Sequence, residues 1–367
     1  MVKPKRIKVF GAALDPADSE TKIAMKQAHL QMFFSRQTPK SKYKDPYEAF
    51  ITESKVLSSE SFEKIGRFPI ESWLTPKPVI EDSIFMTPLD FRIFLDDNGC
   101  KEYADQLEKF VIQKILPDIP LMIGADHSLT GGVISALTKK YGIENLTILI
   151  FDGHFDAIPT NFRIGLASYS KDHKDEIAIP FPEMIDSVED STQVPLTYNC
   201  GTFLYHLLEQ GTILPENLIV YGVMDYPGAE LRKIADQRVK NFVDFYLDYE
   251  KKGVQIIPNY KDDTKSINHL QKALNSIHTP YLYLSIDVDV ASLNAVLAAR
   301  FMEFIGIGEE CLQDAIRSVS SLIHSDNVEL IGLDFMEIET YFLNAKLKSG
   351  KIDKTLKIID SILEILF

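Results

Sequence analysis

The run Leu146-Thr147-Ile148-Leu149-Ile150-Phe151-Asp152-Gly153-His154-Phe155-Asp156 changes character abruptly: six mostly apolar residues give way to acid, glycine and histidine. An apolar stretch of that length reads as a strand buried on both faces, and its polar end reads as the place where the strand leaves the core. The same device recurs at residues 6–10, 83–86, 119–124, 218–223, 281–286 and 328–333. Between these runs lie segments with helical spacing of apolar residues, at 101–116, 129–141, 201–210, 266–277, 309–324 and 353–367. Strands alternating with helices predict an α/β fold: a doubly wound, mainly parallel sheet of about eight strands with helices on both faces. In such a sheet ligands gather beyond the carboxyl ends of the strands, so the residues just after each apolar run are where chemistry is sought.

Composition narrows what that chemistry acts on. The 367 residues are 45% hydrophobic and 25% charged, as expected of a chain with a large core. Lys and Arg number 39 against 53 Asp and Glu, a net charge of −14, which argues against nucleic acid and favours a small cationic partner. The three cysteines, Cys100, Cys200 and Cys311, are far apart and form no paired motif, so the reduced cytoplasm is the expected compartment. No stretch offers 18 uninterrupted apolar residues, and no membrane association is expected. Residues 35–82 and 158–199 are long, polar and proline-containing; they read as insertions (about 19–82 and 158–199) in one domain spanning 1–367.

Three strand ends carry the chemistry. They read Gly124-Ala125-Asp126-His127-Ser128, Asp152-Gly153-His154-Phe155-Asp156 and Ser285-Ile286-Asp287-Val288-Asp289. Residues two apart in extended chain share a face, so Asp152, His154 and Asp156 point one way, as do Asp287 and Asp289. Four crowded carboxylates repel one another unless cations neutralise them, and two divalent metals balance four Asp charges. Carboxylate oxygens mixed with imidazole suit two Mn²⁺, with Zn²⁺, Fe²⁺ or Ni²⁺ as possibilities.

These motifs resemble the ureohydrolases, the family of arginase, agmatinase and formiminoglutamase, whose signatures are a GGDHS-like turn, a DAHxD-like run and an SxDxD segment. Residues 331–339, IGLDFMEIE, are similar to that family's LDxxE stretch. The resemblance covers about residues 119–340 and implies an arginase-like three-layer fold and a likeness to a divergent member. It implies that His127, Asp152, His154, Asp156, Asp287 and Asp289 hold two metals. Asp152 and Asp287 would bridge, His127 and Asp156 would complete one metal, and His154 and Asp289 the other. It further implies that Asp156 orients the attacking solvent and Glu337 faces a guanidinium. The activity implied is hydrolysis of a linear C–N bond in a guanidino or amidino compound, agmatinase-like, by a hydroxide that two metals generate near neutral pH. A homo-oligomer is implied as well. Two alternatives stand beside this reading: a metal-binding relative altered in catalysis, and a single-zinc deacetylase of related architecture.

The sequence also departs from the family's pattern. The GxRxGP-like element after the first strand is absent. Ser292-Leu293 stands where the family has Asp-Pro, and Cys200 of Asn199-Cys200-Gly201-Thr202 stands at the proton-shuttle histidine, with His173 and His206 as possible replacements. Ile158 replaces an asparagine, and Met224-Asp225-Tyr226-Pro227 replaces a segment whose carboxylate reads an α-amino group in arginases. Free arginine is therefore not the expected substrate.

Overall fold

The computed structural model describes residues 5–17, 20–34, 44–173, 195–302, 305–325, 328–347 and 350–367. Among them eight strands form one sheet: β1 (Ile7–Ala12), β2 (Phe62–Arg67), β3 (Ile119–Gly124), β4 (Leu146–Phe151), β5 (Leu218–Val223), β6 (Gln255–Pro258), β7 (Tyr281–Asp287) and β8 (Glu329–Met336). Their order is β2-β1-β3-β8-β7-β4-β5-β6, and every neighbouring pair is parallel. Parallel pairing needs crossover connections, and these place helices on both faces.

Alternation along each strand splits the interior into two cores. Ile148 and Ile150 of β4 join one apolar cluster, while Leu149 and Phe151 join the other. The first cluster is covered by helices Gly99–Phe110, Thr130–Tyr141, Phe203–Glu209 and Gln237–Lys252. The second is covered by Pro46–Glu53, Asp263–Leu274, Glu309–Ile323 and Thr355–Leu366. The terminal helix buries Ile358, Ile359, Ile362, Leu363 and Leu366, the stripe its spacing predicts. No helix among the described residues is long and apolar enough to cross a membrane.

The four strands whose ends carry motifs, β3, β8, β7 and β4, are contiguous at the centre of the sheet. Ser285 pairs with Asp334, Asp287 with Met336, and Phe151 with Ile286. Sequence positions as far apart as His127 and Glu337, separated by 210 residues, therefore converge on one edge.

Several local expectations are corrected. Residues 83–86 are not a strand: Ile80–Phe85 forms a 3₁₀ turn in which Ile84 is 71% exposed, and of the short apolar run only Met86 reaches the core. Two strands lacked an apolar signature, β2 (FEKIGR) and the four-residue β6. Both are edge strands: β2 meets water along most of its length, so polar residues are tolerated, and β6 buries only Ile256 and Ile257, too short a run to stand out. The supposed loop at 35–82 holds the helix Pro46–Glu53, capped by the Asp45 carboxylate on the Glu48 N–H, together with β2. Residues 160–172 of the second insertion form the helix Thr160–Asp172; 35–43 and 174–194 lie outside the described residues. The helix expected at 101–116 spans Gly99–Phe110 and widens into a π turn, Val111–Ile115.

Candidate metal centre

The first aspartate of each motif holds its own turn with one oxygen. The Asp152 carboxylate accepts the His154 N–H at 2.7 Å, Asp287 accepts the Asp289 N–H at 2.8 Å, and Asp126 accepts the Ser128 N–H at 3.1 Å. Asp289 ties two strand ends together by accepting the Gly153 N–H at 3.0 Å. These side-chain-to-backbone bonds fix the loops and leave the other oxygens to point inward.

Those oxygens meet the histidines. His127 Nδ1 lies 3.3 Å from Asp152 Oδ2, 3.0 Å from Asp156 Oδ2 and 3.2 Å from Asp287 Oδ2. His154 Nδ1 lies 2.9 Å from Asp289 Oδ2 and 3.7 Å from Asp152 Oδ1. Two groups with metal-binding spacing result, His127/Asp152/Asp156/Asp287 and Asp152/His154/Asp289, and Asp152 belongs to both. All six residues expected to hold metal are thus brought together. Of the two residues expected to bridge, Asp152 alone joins both groups, and Asp287 falls in the first. All six are buried, His154 being the most exposed at 8%.

The other side of the His127 ring decides what Nδ1 needs. Its Nε2 is 2.9 Å from Ser285 Oγ, and the Ser285 hydroxyl donates to Asp334 Oδ1 at 2.6 Å. Ser285 has one proton and has given it away, so it accepts from Nε2–H. The Nδ1 lone pair of neutral His127 consequently faces three carboxylate oxygens. Only a proton or a cation on that nitrogen makes the arrangement favourable. Asp152 Oδ2 and Asp289 Oδ2 are moreover buried and face no donor among the described residues other than these imidazole nitrogens, as ligand atoms awaiting a cation would. The donor set fits divalent metals.

Titration follows the same logic. Burial pulls the His127 imidazolium down, but hydrogen bonds to Asp152, Asp156 and Asp287 outweigh it and hold the group well above its ordinary value. Burial and then the Asp152 charge push the Asp156 carboxyl up to about 7. Burial, Asp289 and Asp152 raise Asp287 well above the usual carboxylate range. The folded, metal-free chain therefore holds protons that the unfolded chain releases. For groups raised in this way, stability is fully present below the unfolded value, 3.8 for the two carboxyls and 6.5 for His127, and is lost as pH rises through the folded value. The melting temperature of metal-stripped protein is expected to fall between pH 6 and pH 8, and the rise produced by added Mn²⁺ to be larger at pH 8. Differential scanning fluorimetry at the two pH values checks this; a Mn²⁺-induced shift of equal size at both would contradict it.

Glu337 is fully buried, and its backbone sits at φ +59, a left-handed conformation that costs a non-glycine residue on the order of 1 kcal/mol. That turn brings Oε1 to within 2.7 Å of the His127 N–H. Cys200 Sγ joins Asp126 and Glu337 in a third cluster. Burial and then Asp126 and Glu337 push its thiol well above the ordinary range, so it stays protonated there and is no ready nucleophile. His173 instead stacks on Tyr169, and His206 packs against Tyr198 and Tyr205. Asp225 is occupied: Arg163 Nη1 lies 3.2 Å away, and the Phe155 N–H and the Tyr246 hydroxyl both donate to it.

Some supporting residues escaped the sequence reading. Thr130, Tyr283 and Ser285 all donate to the buried Asp334. The available signal was an aspartate inside an otherwise apolar strand, a residue type seldom buried without partners. Arg300 left no signal: its guanidinium, 2.8 Å from Asp126 Oδ2, comes from the loop after β7.

Comparison with known proteins places this geometry. The Arginase family model matches residues 89–349, well over half of the chain. Among curated proteins, an arginase of Staphylococcus aureus strain MRSA252 is 27% identical over 206 residues, covering 53% of this chain and 55% of that one. The chain thus spans about half the length of the curated relatives it matches. Among solved structures, proclavaminate amidino hydrolase from Streptomyces clavuligerus superposes with TM-score 0.57 at 14% identity, covering 99% of this chain and 92% of that one. Formimidoylglutamase from Bacillus subtilis gives 0.55 at 15% identity, with 99% and 86% covered. Likeness at these identities concerns the fold.

Proposed function

The chain belongs to the arginase family, and we propose that it is a binuclear-metal hydrolase of a linear C–N bond in a small cationic guanidino or amidino compound, releasing urea or an amide plus an amine. The observation that carries this reading is the sharing of Asp152 between two His/Asp groups, with the His127 Nδ1 lone pair turned toward three carboxylates. In this reading His127, Asp152, Asp156 and Asp287 hold one metal, and Asp152, His154 and Asp289 the other, with Mn²⁺ the best match to the oxygen-rich set. Bound there, two divalent cations would supply a water activated near neutral pH.

The chain's own residues do the rest. Asp156, itself one of the residues that would hold the first metal, would orient the activated water from the carboxylate beside His127. Glu337 offers a carboxylate one peptide away from the His127 ligand. Phe203, its ring 4.9 Å from that of His127, helps keep bulk water off the imidazole.

Two groupings also favour the ureohydrolase reading over a single-zinc deacetylase. An amino-acid head group finds little here: Ile158 is apolar and buried, and Asp225 is already bound by Arg163, Tyr246 and the Phe155 N–H. Agmatine, guanidinobutyrate, guanidine, arginine and formiminoglutamate should be assayed with Mn²⁺-loaded protein, following urea, amine and ammonia directly. Metal-dependent release from at least one compound other than arginine is expected. Arginine as the best substrate would overturn the head-group argument, and no release from any compound would leave a metal-binding protein without turnover.

A further inference from the structure

The carboxylate proposed to receive the substrate's cation already faces a guanidinium, and that guanidinium belongs to the chain itself. The Arg300 side chain is 2% exposed. Its Nη1 lies 2.8 Å from Asp126 Oδ2 and 3.8 Å from Glu337 Oε2, and its Nη2 donates to the Pro16 carbonyl at 2.6 Å. Its Nε is 3.6 Å from Asp15 Oδ1, but Lys26 Nζ, 3.2 Å from Asp15, already neutralises that carboxylate. Asp126, by a hydrogen bond, and Glu337, by charge at 3.8 Å, are the carboxylates on the cluster side of the Arg300 head, beside the Pro16 and Ala125 carbonyls. The backbone is fastened as well: the Arg300 N–H donates to the Glu337 carbonyl at 2.8 Å, and Ala299 pairs with Ile338.

The placement matters because Glu337 touches the cluster. Its Oε1 accepts the His127 N–H, its Oε2 is buried without a hydrogen-bond partner, and the Cys200 thiol lies beside both carboxylates. A planar cation approaching Oε2 from the metal side would compete with Arg300 for the same charge. A guanidinium is also the group best matched to a carboxylate pair, through a fixed fork of donors.

We propose that Arg300 is a specificity-determining residue, a resident guanidinium that competes with cationic substrates for the Glu337 and Asp126 carboxylates. The proposal rests on the functional reading above insofar as Glu337 serves a cationic substrate. It makes affinity for guanidino compounds depend on how readily the chain's own guanidinium gives way.

Arg300→Ala tests this by kinetics and by binding. For the best guanidino or amidino substrate, KM should fall by about tenfold or more while kcat changes less, because a competitor of ground-state binding has been removed. Independently of turnover, guanidinium chloride at low millimolar concentration should raise the melting temperature of Arg300→Ala saturably. Ammonium chloride at the same ionic strength should not, and wild type should show no such rise. Adding Glu337→Gln to Arg300→Ala should abolish the effect. Should Arg300→Ala fail to fold, Arg300→Lys keeps a charge but loses the planar fork, and guanidinium should stabilise it more than wild type. Equal guanidinium responses of wild type and the variants would overturn the proposal, as would an unchanged KM. Turnover by wild type with an unchanged KM in the variant would remove this inference and leave the functional reading standing. Guanidinium-specific stabilisation of Arg300→Ala without turnover by any form would do the reverse.

Discussion

Asp152→Asn is expected to abolish binuclear metal binding while leaving the fold in place. The substitution keeps an oxygen for the His154 N–H, so the turn after β4 retains its bond. It removes the one carboxylate common to both His/Asp groups, which lies 3.3 Å from His127 Nδ1 and 3.7 Å from His154 Nδ1. It also places an amide, with two N–H donors, where a cation needs lone pairs. Metal analysis after Mn²⁺ loading should fall from close to two per chain to one or fewer, and hydrolysis should drop on the order of a thousandfold. The melting temperature of metal-stripped variant should stay near that of stripped wild type, with the Mn²⁺-dependent rise lost. Retention of two metals, or of one tight zinc untouched by the change, would refute the shared-ligand arrangement. The stripped-state measurement separates this from trivial unfolding, because a purely structural Asp152 would lower stability with or without metal.

What sequence could and could not show follows from where each signal originates. The central strands β3, β4, β7 and β8 are buried on both faces, so their apolar runs are long and end sharply. The metal cluster was legible for a related reason. Its ligands follow directly on those strand ends, so acids and histidines after an apolar run marked them; the extended chain expected there is not formed, since 152–156 is turn and Asp289 lies in the 3₁₀ turn Val288–Ala291. The edge strands β2 and β6 gave no such signal because water satisfies one side of them. The environment of Glu337 was also hidden. Its place in the stretch similar to the family's LDxxE segment suggested a group at the cluster, but the neighbours that set its charge, Asp126 and Arg300, come from the end of β3 and the loop after β7. No local pattern links positions 126, 300 and 337. They meet because β3, β8 and β7 are adjacent in the sheet, and that order is a property of the whole chain.

Asp334 carries the second large expectation, because it supports the cluster without touching it. The side chain is completely buried on β8 and accepts from Ser285 Oγ at 2.6 Å, from Thr130 Oγ1 at 2.6 Å and from the Tyr283 hydroxyl. Asp334→Ala would leave three buried hydroxyls without their acceptor, each costing about 1–3 kcal/mol, so a total loss of at least about 3 kcal/mol is expected in urea unfolding. Asp334→Asn is the more informative variant. It preserves volume and one acceptor oxygen, but its amide group confronts donors on the other side. The chain of donors from His127 Nε2 through Ser285 to Asp334 is then no longer fixed in one direction. Ser285 becomes free to donate toward Nε2, which would favour the tautomer carrying its proton on Nδ1, the atom aimed at the metal position. Mn²⁺ affinity should consequently fall about 10–100-fold, the usual effect of losing a partner behind a ligating histidine. Stability should drop less than in the alanine variant. Calorimetric titration of stripped Asp334→Asn with Mn²⁺ decides the matter: unchanged affinity in a folded variant would mean that Ser285 and Asp334 serve packing alone and do not set the His127 tautomer.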